Sequence, residues 1–213
     1  MISRLHVSSF VGLTGLVWLI ALWAQGQPVL TWDFFAPFSV VVGVVVTVVT
    51  LFNLYAWSWS LLQGWYVKRP DLRGTWSAEM VSSYINPETQ KPTPPIQAYI
   101  VVRQTLTTLS FRLLTKESSS VLLAYNFVEQ EHAGLYKLIG VFRNEPRINL
   151  QRERSRIHHG AFSIDIHGSP VTELTGHYWT DRETNGSIKL SDRRNKLYDT
   201  FDQADQSFTS PIG

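Results

Sequence analysis

Residues 69–76, Arg69-Pro70-Asp71-Leu72-Arg73-Gly74-Thr75-Trp76, divide this 213-residue chain into two kinds of sequence. Before them the chain is apolar: between residues 5 and 66 the only formal charge is Asp33. After them the chain alternates with a period of two and is basic, with 18 Lys and Arg against 13 Asp and Glu over residues 68–196. Gly74-x-Trp76 just past a charged linker is a common opening for the first strand of a small up-and-down barrel. The last stretch, 197–213, is polar and carries Asp199, Asp202 and Asp205. There is no cysteine, which excludes a disulfide scaffold and any Cys-based zinc site.

Toward the N-terminus, residues 5–24 are uncharged and match the ~20 residues needed to cross ~30 Å of hydrocarbon. Residues 38–62 are also uncharged and long enough to span with tilt. Their run SVVVGVVVTVVTLF is β-branched and would favour a strand in water. In lipid a lone strand cannot satisfy its own backbone, so the run is read as a helix. A short polar turn with Pro28, Asp33 and Pro37 joins the two. Trp57, Trp59, Trp65 and Tyr66 then form an interfacial aromatic belt, followed by Lys68 and Arg69. A signal peptide is the rival for the first segment, with Arg4 heading it and Ala24-Gln25-Gly26 as the cut. Lys68, Arg69 and Arg73 follow the second span and no basic residue lies between the spans. The positive-inside rule therefore puts the body in the cytoplasm under either reading, and with both spans retained the chain crosses its membrane twice. Gly12, Gly15 and Gly43 permit close helix approach, within one hairpin or between chains. Asn53 is suited to hydrogen-bond across helices or to sit near the headgroups.

Toward the C-terminus the alternation marks eight strands: 74–83, 97–104, 107–115, 119–128, 135–143, 159–167, 171–180 and 187–192. Strands so short and evenly spaced suit an antiparallel sandwich or barrel, and no amphipathic helix interrupts them. Leu109, Phe111 and Leu113 share a face opposite Thr108, Ser110 and Arg112. Val121, Leu123, Tyr125 and Phe127 share another, as do Phe162, Ile164 and Ile166. Each stripe must be buried on one side, and closing the sheet removes its edges. An eight-stranded barrel encloses packed side chains or one small ligand. Gly168-Ser169-Pro170 and Asn185-Gly186 are hairpin signals. Residues 86–95, with four prolines, and 145–157 read as long connections, either lids or solvated connectors. The expected fold is thus an all-β, antiparallel, about eight-stranded lipocalin-like barrel preceded by two transmembrane α-helices. Its organisation is a hairpin at 1–66, a cytoplasmic linker at 67–73, the barrel at 74–193 and a polar tail at 194–213.

No catalytic grouping stands out. His159 and His167 share a strand face but lie eight residues, ~27 Å, apart, and with His158 and His177 they complete no usual metal set. The serines of residues 116–121 lack a nucleophile elbow. There is no phosphate loop or dinucleotide fingerprint. The sequence argues for binding rather than turnover, without metal or cofactor. The basic excess points to an anionic partner, either bilayer headgroups or a phosphate-bearing ligand, and Arg152, Arg154 and Arg156 would share one face if extended. Nucleotide recognition needs cations for phosphate, aromatic faces for stacking and hydroxyls or amides for base edges. The body offers Arg103, Arg112, Arg143 and Arg182; Tyr99, Tyr125, Tyr178 and Trp179; and Thr115, Ser118, Ser119, Ser120, Asn126 and Asn144. The set suits a polar anion at a barrel mouth.

Two N-terminal spans followed by RGTW, VVRQTLTTLSFRLLTKESSSVLLAYNF, HHGAFSIDIHG and LTGHYWTDRETNGSIKL resemble the SMODS-associating, two-TM, β-strand-rich effector family of bacterial CBASS anti-phage defence. The most specific pieces are the Thr-x-x-Ser-Ser-Ser turn from Thr115 and the run Tyr178-x-Thr180-x-Arg182-x-Thr184-x-Gly186. The resemblance implies that a partner nucleotidyltransferase makes a cyclic dinucleotide, which acts as the activating ligand. The barrel binds it, the chain self-associates into a homo-oligomer, and the spans disrupt the inner membrane and kill the cell. No DNA or RNA partner is implied. Carried over by motif, the binding candidates are Thr115, Ser118, Ser119, Ser120, Tyr178, Thr180, Arg182 and Thr184; Arg112 and Tyr125 join them on chemistry alone. The competing readings are a membrane-tethered lipocalin-like carrier of a small apolar ligand, which needs a wide apolar interior, and a hydrolase built on a barrel.

Overall fold

A computed structural model describes residues 4–26, 37–85, 89–130, 135–148 and 156–210. Asp33, Arg152 and Arg154, Pro28 and residues 86–88 of the proline-rich connection lie outside the described residues. The chain forms two compact units, Met1–Arg69 with Thr105–Thr107, and Pro70–Gln104 with Thr108–Gly213.

The first unit holds α1 (Arg4–Ala24) and α2 (Phe38–Leu54). Residues Val7–Ala24 are long and apolar enough to cross a membrane; α2, at 17 residues, is apolar but shorter. The second helix therefore stops eight residues before the expected 62. Valine has little intrinsic helix preference, and the aromatic–serine run after Leu54 does not extend the helix. Tyr55 leaves helical geometry at φ −128°, and Ala56–Ser58 make one 3₁₀ turn. There the Ser58 hydroxyl donates to the Tyr55 carbonyl at 3.0 Å, the kind of local bond with which serine competes against helix.

Within the hairpin, Ala21, Val41 and Val45 are buried, with Val17 and Trp18 packed on them. The glycines play no part in that contact: nothing lies within 4 Å of where a Cβ would stand at Gly12, Gly15 or Gly43. Thr14 and Thr47 return their hydroxyls to the carbonyls of Phe10 and Gly43, at 2.9 and 2.8 Å, so these two hydroxyls are satisfied within their own helices. Asn53 bonds neither helix; its Oδ1 accepts from the backbone N and the hydroxyl of Thr107, at 3.1 and 3.0 Å.

The second unit is a closed barrel of eight strands in sequence order, each antiparallel to the next. They are β1 (Gly74–Ser82), β2 (Ile96–Gln104), β3 (Leu109–Leu114), β4 (Ser118–Gln130), β5 (Leu135–Pro146), β6 (His158–His167), β7 (Glu173–Thr180) and β8 (Asn185–Arg194). β8 returns to pair with β1, which removes the sheet's edges. Period-two alternation turns Trp76, Ile100, Val102, Leu138, Ile164 and Leu190 inward, where all are buried. Large rings fit because glycines face them. Phe142 pairs with Gly160 and Phe162 with Gly140, and a Cβ at either glycine would stand within 2.6 Å of the opposing ring.

One inner stripe differs from the simple alternation. β4 carries a bulge between Leu122 and Ala124. The extra residue reverses parity, so Ser120 and Leu122 face in above it and Tyr125 and Phe127 face in below it. Val121 and Leu123 are outside, and Leu123 is 55% exposed. The four residues expected on one face are split between two.

Residues 70–73, read as linker, belong to the barrel. Leu72 is buried; its N–H donates to Gln104 Oε1 at 2.9 Å, and Gln104 Nε2 donates to the Pro70 carbonyl at 2.9 Å. The Trp76 indole closes the arrangement on the Leu72 carbonyl at 2.9 Å. Asp71 accepts two bonds from the Arg73 guanidinium, at 2.9 and 2.8 Å, and lies 3.5 Å from Arg193. Burial alone would raise the Asp71 carboxyl, but bonds from the Arg73 side chain and backbone and the charge of Arg193 outweigh it and hold the group below its ordinary value.

The acidic tail is not uniformly a tail. Residues Phe201–Thr209 form α3, capped by the Thr200 hydroxyl. Phe201 and Phe208 clasp Tyr99 on the outer wall, with ring centroids 5.4 and 5.1 Å away, and Ala204 is fully buried. Tyr99 Oη donates to Asp205 at 2.9 Å, and Arg194 donates to the carbonyl and hydroxyl of Ser207 at 2.7 and 2.9 Å.

Candidate functional site

Strand direction sorts the connections between the two ends of the barrel. The chain enters at the end of Gly74, the same end that carries the β2–β3, β4–β5 and β6–β7 turns. The opposite end carries the β3–β4 and β7–β8 turns and both long connections, 83–95 and 147–157. The motif residues from the two most specific pieces of sequence all lie toward this second end, the mouth, with Ser119 alone among them turned to the outer wall.

Two short polar turns build it. In the first, Thr115 Oγ1 accepts from the backbone N of Ser118 at 2.9 Å and lies 3.0 Å from its hydroxyl. Asn144, at the end of β5, donates from Nδ2 to Ser118 Oγ at 3.0 Å and to Ser120 Oγ at 2.9 Å. Ser120 and Asn144 are buried, so these amide and hydroxyl groups form a satisfied polar layer under the rim. In the second turn, the hydroxyls of Thr180 and Thr184 meet at 2.7 Å, and the Arg182 backbone N donates to Thr180 Oγ1 at 3.2 Å. Arg182 stands exposed at its tip. Tyr178 lies one inward position below Thr180 with its ring across Gly186, where a Cβ would be 2.6 Å from the phenol oxygen.

The register relates the turns. Thr180 is level with Gly160 of β6, which is level with Phe142 of β5 and Leu122 of β4. Three strand spacings, about 14 Å along the wall, separate β4 from β7, and Ser118 stands four residues farther up β4 than Leu122. Below them the interior is filled. A cavity of about 40 Å³ lies between Phe111, Leu113, Leu122, Phe142, Phe162 and Ile188, with Ser120 and Tyr178 on its border. This is room for a water or two, not for a nucleotide. Of the two possibilities for an eight-stranded barrel, this one is packed with side chains.

The structure thus joins Thr115, Ser118 and Ser120 into one cluster and Tyr178, Thr180, Arg182 and Thr184 into a second at the same end. Three candidates stand elsewhere. Ser119 and Arg112 are on the outer wall, Arg112 beside Val101 and Val121. Tyr125 faces in but below the bulge, opposite Gly140 and edge-on to Phe127 at 6.1 Å. Among the wider set, Arg103 faces Asp199 at 3.8 Å, Arg143 faces Glu145 at 3.1 Å and Tyr99 is covered by α3, all on the outside. Trp179 is exposed on the outer wall. Asn144 is the member of that set that ties the first cluster together; its signal was a polar residue on the inward parity of β5. Among the described residues no group of His, Asp and Glu could hold a metal ion.

Residues 67–192 match the family model described as Cap15, cyclic dinucleotide receptor domain. No curated protein matches the chain.

Proposed function

The chain belongs to the Cap15 cyclic dinucleotide receptor domain family, and we propose on that footing that its barrel mouth binds a cyclic dinucleotide as the trigger of a membrane effector. The observation that carries the reading is the gathering of both specific motifs, from β3–β4 and β7–β8, at one end of a barrel whose family binds that ligand. Hydroxyls of Thr115, Ser118, Ser120, Thr180 and Thr184 and the amide of Asn144 are the groups that read base edges and ribose. Arg182 supplies charge toward phosphate, and Tyr178 offers an aromatic face. The ligand rests on the rim and its polar floor, because the space beneath is closed. No cofactor and no turnover enter this reading.

Binding has to gather copies of the chain. A ligand does so only if it binds the assembled state more tightly than the separate one. A doubly anionic ligand meets that condition by relieving repulsion among basic mouths brought together. The helices of the first unit then act on the lipid. In this reading α1 and α2 both span an inner membrane, the barrel is cytoplasmic because Lys68, Arg69 and Arg73 follow α2, and the partner is a nucleotidyltransferase that makes the ligand. Within the barrel the carrier alternative is disfavoured: pockets for small apolar ligands run to about 300–1,000 Å³, against a cavity of about 40 Å³ there, and the larger hollow of about 520 Å³ is an open one among Val81, Ser83, His177, Trp179 and Asn185.

Calorimetric titration of the full chain in detergent with a panel of cyclic dinucleotides tests the proposal. One member of the panel is expected to bind, and Arg182→Ala to weaken it about tenfold or more, the loss of a charge-assisted hydrogen bond. Leu123→Ala, on the outer wall, is expected to leave the affinity unchanged. Absence of binding across the whole panel would overturn it.

A further inference from the structure

Residues 55–67 end the first unit in a form that the apolar sequence before them does not prepare. After Leu54 the chain does not continue as helix but folds back on itself. Gln63 Nε2 donates to the Trp57 carbonyl at 2.7 Å, and the backbone N of Val67 donates to the Leu62 carbonyl at 2.8 Å. The Trp65 indole donates to the Leu61 carbonyl at 2.6 Å, and Tyr66 stands edge-on to Phe52 at 5.9 Å. Trp57 and Val67 are buried, so the turn is fixed from inside. What it shows outward is Tyr55, Trp59, Leu61 and Trp65, each more than 60% exposed. These are not the four residues the sequence suggests for a belt: Trp57 is inside and Tyr66 is half covered, while Tyr55 and Leu61 join the outer face.

From this we infer that residues 55–67 form a preshaped interfacial foot whose partner is the headgroup region of a bilayer, and which fixes the depth of α2. The inference rests on the reading of α2 as a span. Three observations choose lipid over another protein as the occupant. The foot follows directly on α2, whose exposed Val42, Val44, Val46, Val48 and Val49 already form an apolar surface. Its outward residues include two Trp and a Tyr, the side chains that favour the boundary where one end is apolar and the other wet. Lys68 comes next in the chain and is exposed, a charge of the sign that anionic headgroups attract, while Arg69 is half-buried with its guanidinium on the Leu106 carbonyl. The Trp65 indole N–H is already satisfied within the turn, so its ring enters the boundary without stranding a donor.

The chain contains no cysteine, so single cysteines report cleanly. Leu61→Cys and, independently, Trp59→Cys would be labelled with an environment-sensitive fluorophore in the full chain. The protein would be reconstituted in vesicles of phosphatidylethanolamine and phosphatidylglycerol. Val46→Cys in α2 and Leu123→Cys on the barrel wall serve as references. Labels at 61 and 59 are expected to be blue-shifted relative to 123, and quenched several-fold more by lipids spin-labelled near the headgroup than by those labelled near the chain end. The label at 46 is expected to show the opposite depth preference. If 46 lies in hydrocarbon while 61 and 59 are quenched by aqueous iodide as fully as 123, the foot is refuted and the span stands. If 46 is also aqueous, the span itself is refuted, and the foot with it.

Discussion

Gln104 stands where two backbone groups would otherwise be stranded. Its amide serves the Leu72 N–H and the Pro70 carbonyl together, in a place closed to water. Gln104→Leu preserves volume but leaves both groups buried without those partners. At about 1–3 kcal/mol for each such group, a loss of about 2–6 kcal/mol is expected, read as a shift in the urea midpoint of the full chain. Asn144 poses the same question at the mouth, with Ser118 and Ser120 as its dependants. Asn144→Ala is expected to cost about 1–2 kcal/mol of stability and also to weaken the cyclic dinucleotide, whereas Gln104→Leu is expected to change stability alone. Paired unfolding and binding curves check this. Both residues were legible in part. Alternation through Ile100 and Val102 puts Gln104 on the inner face, and a polar residue on an inner face announces a bond to be found. What alternation could not supply was the partner, because Leu72 and Pro70 lie in a stretch with no period at all.

The strands were the readable elements, since period two and turn residues act locally. The bulge at Leu122/Ala124 was not readable, because an added residue changes parity without changing composition, and it alone separates Val121 and Leu123 from Tyr125 and Phe127. α3 was missed for a different reason. Its buried face is Phe201, Ala204 and Phe208, three positions in nine residues of acidic sequence, too short for a helical period to show. Its docking is testable through Tyr99. Burial first, and then the Asp205 carboxylate that accepts its proton, push the Tyr99 phenol up to about 12, against an ordinary value of about 10. A raised folded value means the stabilisation is whole below pH 10 and is lost as the pH climbs toward 12. The wild-type chain is therefore expected to lose stability across that window. Tyr99→Phe is expected to be about 1 kcal/mol less stable at neutral pH and to show a flatter alkaline limb in unfolding midpoints measured at successive pH values.

The length of α2 sets a condition on the whole molecule. Its 17 residues reach about 25 Å at 1.5 Å per residue, against about 30 Å of hydrocarbon. The 21 residues of α1 reach about 31 Å and need no adjustment. If the foot holds the C-terminal end of α2 at the boundary, the helix cannot slide to hide the shortfall, and the bilayer has to thin around it. At fractions of a kcal/mol per Å, about 5 Å of mismatch costs about 1–3 kcal/mol for each hairpin. On the proposed reading of both helices as spans, gathered hairpins would share one thinned patch among several copies, so the mismatch would favour the assembled state before any ligand arrives. Lipid thickness would then be a second input to the assembly equilibrium that, as proposed, the cyclic dinucleotide biases. In vesicles of longer acyl chains the ligand concentration for half-maximal self-association is therefore expected to fall, by about tenfold for each 1.4 kcal/mol of added mismatch. Energy transfer between chains labelled at Leu123→Cys would report it. Association that ignores acyl length would mean that α2 adjusts by some other route and that the barrel mouth alone governs assembly.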